Sequence, residues 1–251
     1  MKKEFVYFQG IRFLPIGIKD ALEVVVNRIS KRDGDYFCFS NIHLAMEGIK
    51  NSDIRTVLNG AAANFPDGMG VAQALKMLGS RFEGRVRGAD FMLKLCGYAS
   101  KNNLKVFFYG NTDETLALLS EKLKNLYPGL NIAGSASPPF RTLTKEEDDA
   151  YVRQINNSGA DILFVSLGAP KQEKWMADHK GRVKAVQLGV GAAFSFLTGK
   201  VRQAPLWMQK TYLEWLYRLP QEPKKTMYRM LLVPEFLLRL LVQMVKERIR
   251  K

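Results

Sequence analysis

The sequence predicts an α/β fold with a largely parallel sheet and helices on both faces (Rossmann-like), followed by a basic helical C-terminal appendage. Three observations carry this. Short strand-like runs alternate with helix-like runs from residue 36 to residue 191. One run, Ile162 to Gly168, is apolar throughout, as a strand covered on both faces must be. Beyond Gly199 the chain becomes helical, basic and aromatic, and Pro220, Pro223 and Pro234 punctuate it. We therefore divide the chain into a core, 1–199, carrying a UDP-sugar site, and an appendage, 200–251, that associates with a membrane and completes the site.

The elements follow in order. YFCFS (36–40) is a strand, and 44–61 carries the spacing of one helix. ANFPDGMGV (63–71) is a short strand breaking into a glycine-containing turn, with VAQALKML helical after it. Residues 89–103 form a helix and 104–111 a strand; 113–129 form a helix closed by Pro-Gly, and 130–140 a strand running into a loop. Residues 144–159 are helical, with Thr144 as N-cap and an acidic first turn that suits the helix dipole. Residues 183–191 are a further strand, and AAFSFLTG begins a helix. In the tail, Pro234 stands at the N1 position of a last helix whose broad apolar face opposes Arg239, Lys246 and Arg248. Such a helix suits a membrane surface, with packing on the domain or on a second subunit as the alternative.

Composition narrows the function. A hydrophobic content of 47% over 251 residues supports a sizeable core. No apolar run reaches the roughly 18 residues of a spanning helix, and no signal peptide is read at the N-terminus. Cys38 and Cys96 sit in apolar stretches and are expected to be reduced core residues; with His43 and His179 they make no zinc pattern. The net charge of +14 is uneven: residues 200–251 hold 12 Lys/Arg against four Asp/Glu. A basic surface seeks nucleic acid, anionic lipid or a phosphorylated substrate.

In open α/β sheets ligands sit beyond the carboxyl ends of the strands. Those ends supply Ser40 and Asn41, Asp67 and Gly68, Gly110 and Asn111, the run Gly168, Pro170, Lys171, Gln172 and Glu173, and finally Gly189 and Gly191. Asp67 has the chemistry of a general base, or of a simple turn cap. Arg85 and Arg87 can clamp a diphosphate, or be solvated. LGVGAAF is only a partial dinucleotide fingerprint, because Phe194 replaces the third glycine and no acidic residue follows about 20 positions on. A P-loop is absent.

In order, PDGMGV, RVRGAD, KVFFYGN, LGAPKQEKW, GVGAAFSFLTG and APLWMQKTYLEWLYRLPQEP resemble the bacterial WecG/TagA/CpsF glycosyltransferases, glycosyltransferase family 26, over residues 35–230. The resemblance implies an inverting transferase without metal or other cofactor. It would move a sugar from a UDP-sugar to a polyprenyl-diphosphate-linked saccharide at the cytoplasmic face of the membrane, held there peripherally on anionic lipid. It makes Asp67 the base and gives Arg85 and Gln172 roles in activity, with Asn41 and Ser40 beside them. The strand-end residues, Arg202, Arg218 and Lys225 become substrate-binding candidates, Lys225 standing where an arginine is usual. Nucleic acid is not an expected partner; a homo-oligomer is left open. Three departures bear on the donor: Phe39 stands where members carry a threonine, with Ser40 as its only substitute, Ser195 where many carry aspartate, and Gln203 where arginine is common. The competing readings are a non-enzymatic basic binding protein and an NAD-dependent oxidoreductase.

Overall fold

The computed structural model describes residues 4–81, 84–211 and 213–249. Strands β3 (Tyr36–Ser40), β4 (Ala63–Pro66), β5 (Lys105–Gly110), β6 (Asn131–Ala136), β7 (Ile162–Ser166) and β8 (Val186–Gly189) form one parallel six-stranded sheet in the order β4-β3-β8-β7-β5-β6. Side chains alternate across it. Tyr36 and Cys38, Phe107 and Tyr109, Leu163 and Val165 enter one core; Phe37 and Phe39, Val106 and Phe108, Ile162 and Phe164 enter the other. Both sets are apolar because helices cover both faces. Helices α1 (Ile18–Ile29), α5 (Gly88–Lys101), α6 (Asp113–Leu126) and α9 (Ala193–Thr198) lie on one side. On the other lie α2 (Ile42–Lys50), α3 (Ser52–Gly60), α4 (Met69–Met77), α7 (Lys145–Asn157), α8 (Lys171–Asp178) and the long α12 (Pro223–Ile249). Two short helices, α10 (Leu206–Lys210) and α11 (Glu214–Arg218), precede α12.

The structure departs from the sequence reading at three places. Residues 44–61 are two helices, because Asn51 takes extended angles and its side chain accepts from the Asp53 and Ile54 amides to start α3. The last helix begins at Pro223, which provides the N1 proline, and runs through Pro234. An N-terminal hairpin, β1 (Val6–Phe8) with β2 (Ile11–Phe13), was not read from the sequence. Its turn places Gln9 and Gly10 at φ of 49° and 79°, as a two-residue hairpin loop requires. The hairpin grips α12: the Gln9 amide donates to Gln243 Oε1 at 2.8 Å, Gln9 Nε2 donates to the Arg239 carbonyl at 2.9 Å, and Phe8 meets the Phe236 ring edge-on at 5.0 Å. The tail is thus packed on the core through Leu232, Phe236 and Leu240, all buried.

Candidate active site

Register builds the site. Ser40 pairs with Pro66, Gly110 with Ser166, and Val165 with Gly189, so the strands end level with one another. The residues that follow each end, among them Asn41, Asp67, Asn111, Leu167 and Val190, open onto one cavity of about 980 Å³. The N-terminal turns of α2, α4 and α5 line it, and helix N-termini attract anions. α10, α11 and α12 form its far wall.

Asp67 lies at the head of the PDG turn, its amide bonded to the Ser40 carbonyl at 3.0 Å. Burial pushes its carboxyl up to about 6, against the pull of Arg87, Arg85 and Arg218 and with a small push from Glu214. Such a carboxylate is ionised at neutral pH and more basic than an exposed aspartate, which suits proton abstraction. The arginines around it are tied to the tail. Arg85 donates to the Gln209 carbonyl at 3.1 Å and pairs with Glu214 at 3.4 Å. Arg87 donates to Gln209 Oε1 and pairs with Asp90 at 3.4 Å. Arg218 pairs with the same Glu214 and lies over the Phe196 ring at 4.7 Å. Glu214 therefore joins a core arginine to a tail arginine, and Gln209 holds two core arginines at once.

Across the cavity, Gln172 is an organising side chain. Its Oε1 accepts from the Gly191 amide at 3.1 Å, and its Nε2 donates to the Gly189 carbonyl at 3.0 Å and to Glu173 Oε1 at 2.8 Å. The Gly-x-Gly pair serves this packing: a Cβ on Gly189 would lie 2.6 Å from Met176 Cε and 3.1 Å from Gln172 Nε2. Asn111, at φ 69°, reaches toward Ser166 and Ser195, each 3.5 Å from its Nδ2. These small polar groups make a wall rich in donors and acceptors.

Of the residues singled out in the sequence, Asn41, Asp67, Gly68, Arg85, Asn111, Gly168, Gln172, Gly189, Gly191, Arg218 and Lys225 line this cavity. The others do not. Ser40 is fully buried, with Oγ donating to Asn64 Oδ1 at 2.6 Å. Strand alternation turns it to the opposite core from Phe39, whose ring does line the cavity and packs on Phe65 and Phe91. Ser40 is thus not placed to stand in for a hydroxyl at 39. Gly110 is a packing glycine at φ 104°, where a Cβ would lie 2.5 Å from the Ser166 carbonyl oxygen. Pro170 follows a cis peptide and caps α8, and Lys171 points to solvent. Glu173 is fully buried behind Gln172; burial raises its carboxyl to about 7, and its Oε2 has no hydrogen-bond partner among the described residues. Arg202 is exposed, its amide held by Gln221 Oε1 at 2.9 Å. Sequence reasoning missed Gln209, Glu214 and Arg229 as cavity residues; only helical spacing around Arg218 hinted at Glu214. Among the described residues, no three His, Cys, Asp or Glu side chains cluster as metal ligands would.

Comparison with known proteins now adds a name to this geometry. The model of the glycosyl transferase WecG/TagA/CpsF family matches residues 6–250. The N-acetylglucosaminyldiphosphoundecaprenol N-acetyl-beta-D-mannosaminyltransferase of Bacillus subtilis (strain 168) is 32% identical over 214 residues, covering 85% of this chain and 81% of that relative. The protein of the same description from Bacillus spizizenii is 31% identical over 211 residues, covering 83% and 79%. The NAD-dependent and non-enzymatic readings fall with this match. The chain belongs to the WecG/TagA/CpsF family and is a glycosyltransferase.

Proposed function

We propose that this chain transfers a sugar from a UDP-sugar to a saccharide carried on polyprenyl diphosphate, with inversion and without a metal, in the assembly of a cell-surface polysaccharide. The observation that carries the reading is Asp67: a carboxylate raised to about 6, at the strand ends, ringed by Arg85, Arg87 and Arg218. The relatives are named for transfer to N-acetylglucosaminyldiphosphoundecaprenol, which supports a lipid-linked acceptor here. In the transfer, an acceptor hydroxyl oxygen bonds to the anomeric carbon while the bond from that carbon to the UDP oxygen breaks. The hydroxyl proton passes to Asp67, and UDP leaves with the electron pair. Arginines and helix N-termini stabilise the charge that grows on the leaving diphosphate. The Asn111–Ser166–Ser195 wall and the Gln172-held Gly191 turn suit the nucleotide and its sugar. Phe39 makes one side of the pocket apolar, so the donor is chosen where a smaller polar hydroxyl is lacking.

We place the protein peripherally on the inner face of the plasma membrane. No helix among the described residues is long and apolar enough to cross a membrane, while Leu231, Leu238, Leu241, Val242, Val245 and Ile249 are exposed along the basic α12. The division into a core, 1–199, and a site-completing appendage, 200–251, accords with the bonds from Gln209 and Glu214 to the core arginines. The test is direct. Full-length protein is mixed with a panel of UDP-sugars and a short prenyl-diphosphate N-acetylglucosamine, with and without chelator, and UDP release and product anomer are read. A β-linked product from an α-linked donor, unaffected by chelator, supports the reading; no UDP release from any donor refutes it.

A further inference from the structure

The cavity has a second arm, unlike the polar wall near Asn111. Along α12 the lining residues follow helical spacing: Lys225 and Arg229 come first, then Val233, Phe236, Leu237 and Leu240. One stripe of the helix thus passes from cationic to apolar. From Arg229 to Leu240 it spans roughly 16 Å at the α-helical rise. Across the gap stand Ile42, Ala74 and Met77, so the arm is walled by apolar side chains on both sides. At its outer end Leu237 is half exposed, beside the exposed Leu238 and Leu241, so the arm opens onto the apolar face of the helix.

Arg229 sits where the two arms meet. Its charge is felt by both His43 and Asp67. Arg85, Arg87, Arg218 and Lys225 each have an acidic partner. Among the described residues, the Arg229 guanidinium alone of these cavity cations makes no hydrogen bond or ion pair. Its pKa is depressed, first by burial and then by Arg218, as expected of a cation short of counter-charge. His43 lies beside it, edge-on to Tyr228 at 5.8 Å, with a buried Nδ1 that has no hydrogen-bond partner among the described residues. An unpaired buried cation and an unpaired imidazole nitrogen, facing one space, call for an anion.

We infer that Arg229 and His43 bind the diphosphate of the acceptor, and that the apolar arm between α12 and α4 takes its first prenyl units. The inference rests on the transfer reading above and assigns one of its two diphosphates. Order along the helix decides which. A nucleotide diphosphate continues into polar groups, whereas a prenyl diphosphate continues into hydrocarbon, and only the acceptor matches a cation followed by Val233, Leu237 and Leu240. The arrangement also sets the path of the chain: the prenyl tail leaves past Leu237 toward the lipid-facing side of α12, while the saccharide end points back toward Asp67.

Titration calorimetry tests this on the full-length protein with farnesyl diphosphate, farnesol, inorganic diphosphate and UDP as separate ligands. Arg229→Gln is expected to weaken farnesyl diphosphate at least about tenfold, or 1.4 kcal/mol, and to leave UDP within about twofold. Arg229→Lys is expected to recover part of the loss. Leu237→Glu, at a half-exposed position, is expected to weaken farnesyl diphosphate and farnesol but not inorganic diphosphate. The proposal is overturned if wild-type protein binds UDP but not farnesyl diphosphate, or if Leu237→Glu leaves farnesyl diphosphate binding intact. It is equally overturned if Arg229→Gln lowers UDP affinity as much as farnesyl diphosphate affinity, which would give Arg229 to the donor. Wild-type protein that binds no UDP would instead sink the transferase reading itself.

Discussion

Replacing Asp67 by Asn should give a protein that is more stable and no longer active. The carboxyl rises from 3.8 in the unfolded chain to about 6 in the fold, chiefly because burial disfavours its charge. At pH 8 Asp67 is ionised in both states, and the shift corresponds to about 3 kcal/mol at 1.36 kcal/mol per unit. Asp67 keeps some surface open to the cavity, where water screens it, so about 1–3 kcal/mol is the range to expect. Asn has the shape of the protonated acid and removes that penalty. For a chain of this size the gain corresponds to a rise of roughly 3–10 °C in thermal midpoint. The sign with pH follows from a raised pKa: the side chain's favourable contribution is complete below 3.8 and is lost as pH rises through about 6. The advantage of Asp67→Asn should therefore be largest at pH 8 and fall below about 1 kcal/mol by pH 4. Thermal unfolding followed by intrinsic fluorescence at both pH values measures it. Sugar transfer in the same variant should fall by about 10²–10⁴-fold if Asp67 is the base, and wild-type kcat/KM should drop below pH 6. An Asn variant no more stable than wild type at pH 8, or stabilised equally at both pH values, refutes the electrostatic argument. Wild-type turnover would remove Asp67 as the base.

Glu173 gives a related expectation at a higher pH. Its carboxyl rises from 4.5 to about 7, so wild-type stability should decline as pH climbs through 7, and Glu173→Gln should flatten the decline by on the order of 3 kcal/mol; a parallel slope in melts from pH 5.5 to 8.5 would count against this. Glu214→Ala should cut transfer at least about tenfold, because it frees Arg85 and Arg218 together; if either single arginine variant then adds its full independent loss, the shared-anchor argument fails. Charging the exposed face of α12 with Leu238→Glu and Val245→Glu should abolish flotation with anionic vesicles while UDP binding persists, and vesicle binding that survives both would point to another attachment surface. Removing residues after 200 should leave an inactive core that is less stable, since Phe8 loses Phe236 and α2 loses its cover; an active truncation would show that Gln209, Glu214 and Arg218 supply nothing essential.

What the sequence discloses and what it hides follow from the range of the interactions involved. Strands β3, β5 and β7 were legible because each is a run that must be apolar on both faces, and that demand is local. The level ends of the strands were legible too, since Asn41, Asp67 and Asn111 each break an apolar run with a polar residue. Alternation even placed Ser40 opposite Phe39 before any coordinates. The split at Asn51 was not legible, because apolar spacing continues across it and only the side-chain cap reveals the break. Pro234 misled for a related reason: proline favours a helix start, yet neighbours packed around Leu232 and Phe236 hold the helix through it.

Charge shows the limit most sharply. Twelve basic residues after position 199 read as a uniform attraction for anions. The fold sorts them into different kinds. Arg218 is neutralised by Glu214 and positions the wall, Arg239 is spent on Glu235 at the outer surface, and Arg229 is carried inside without a partner among the described residues. Nothing in the composition separates these three, because the partners lie at distances in sequence that depend on the path of α10–α12 over the core. An unpaired buried cation is costly to stability and has no structural reason to persist. Its retention beside an apolar arm is what selects a diphosphate joined to hydrocarbon over any other anion the net charge alone would admit.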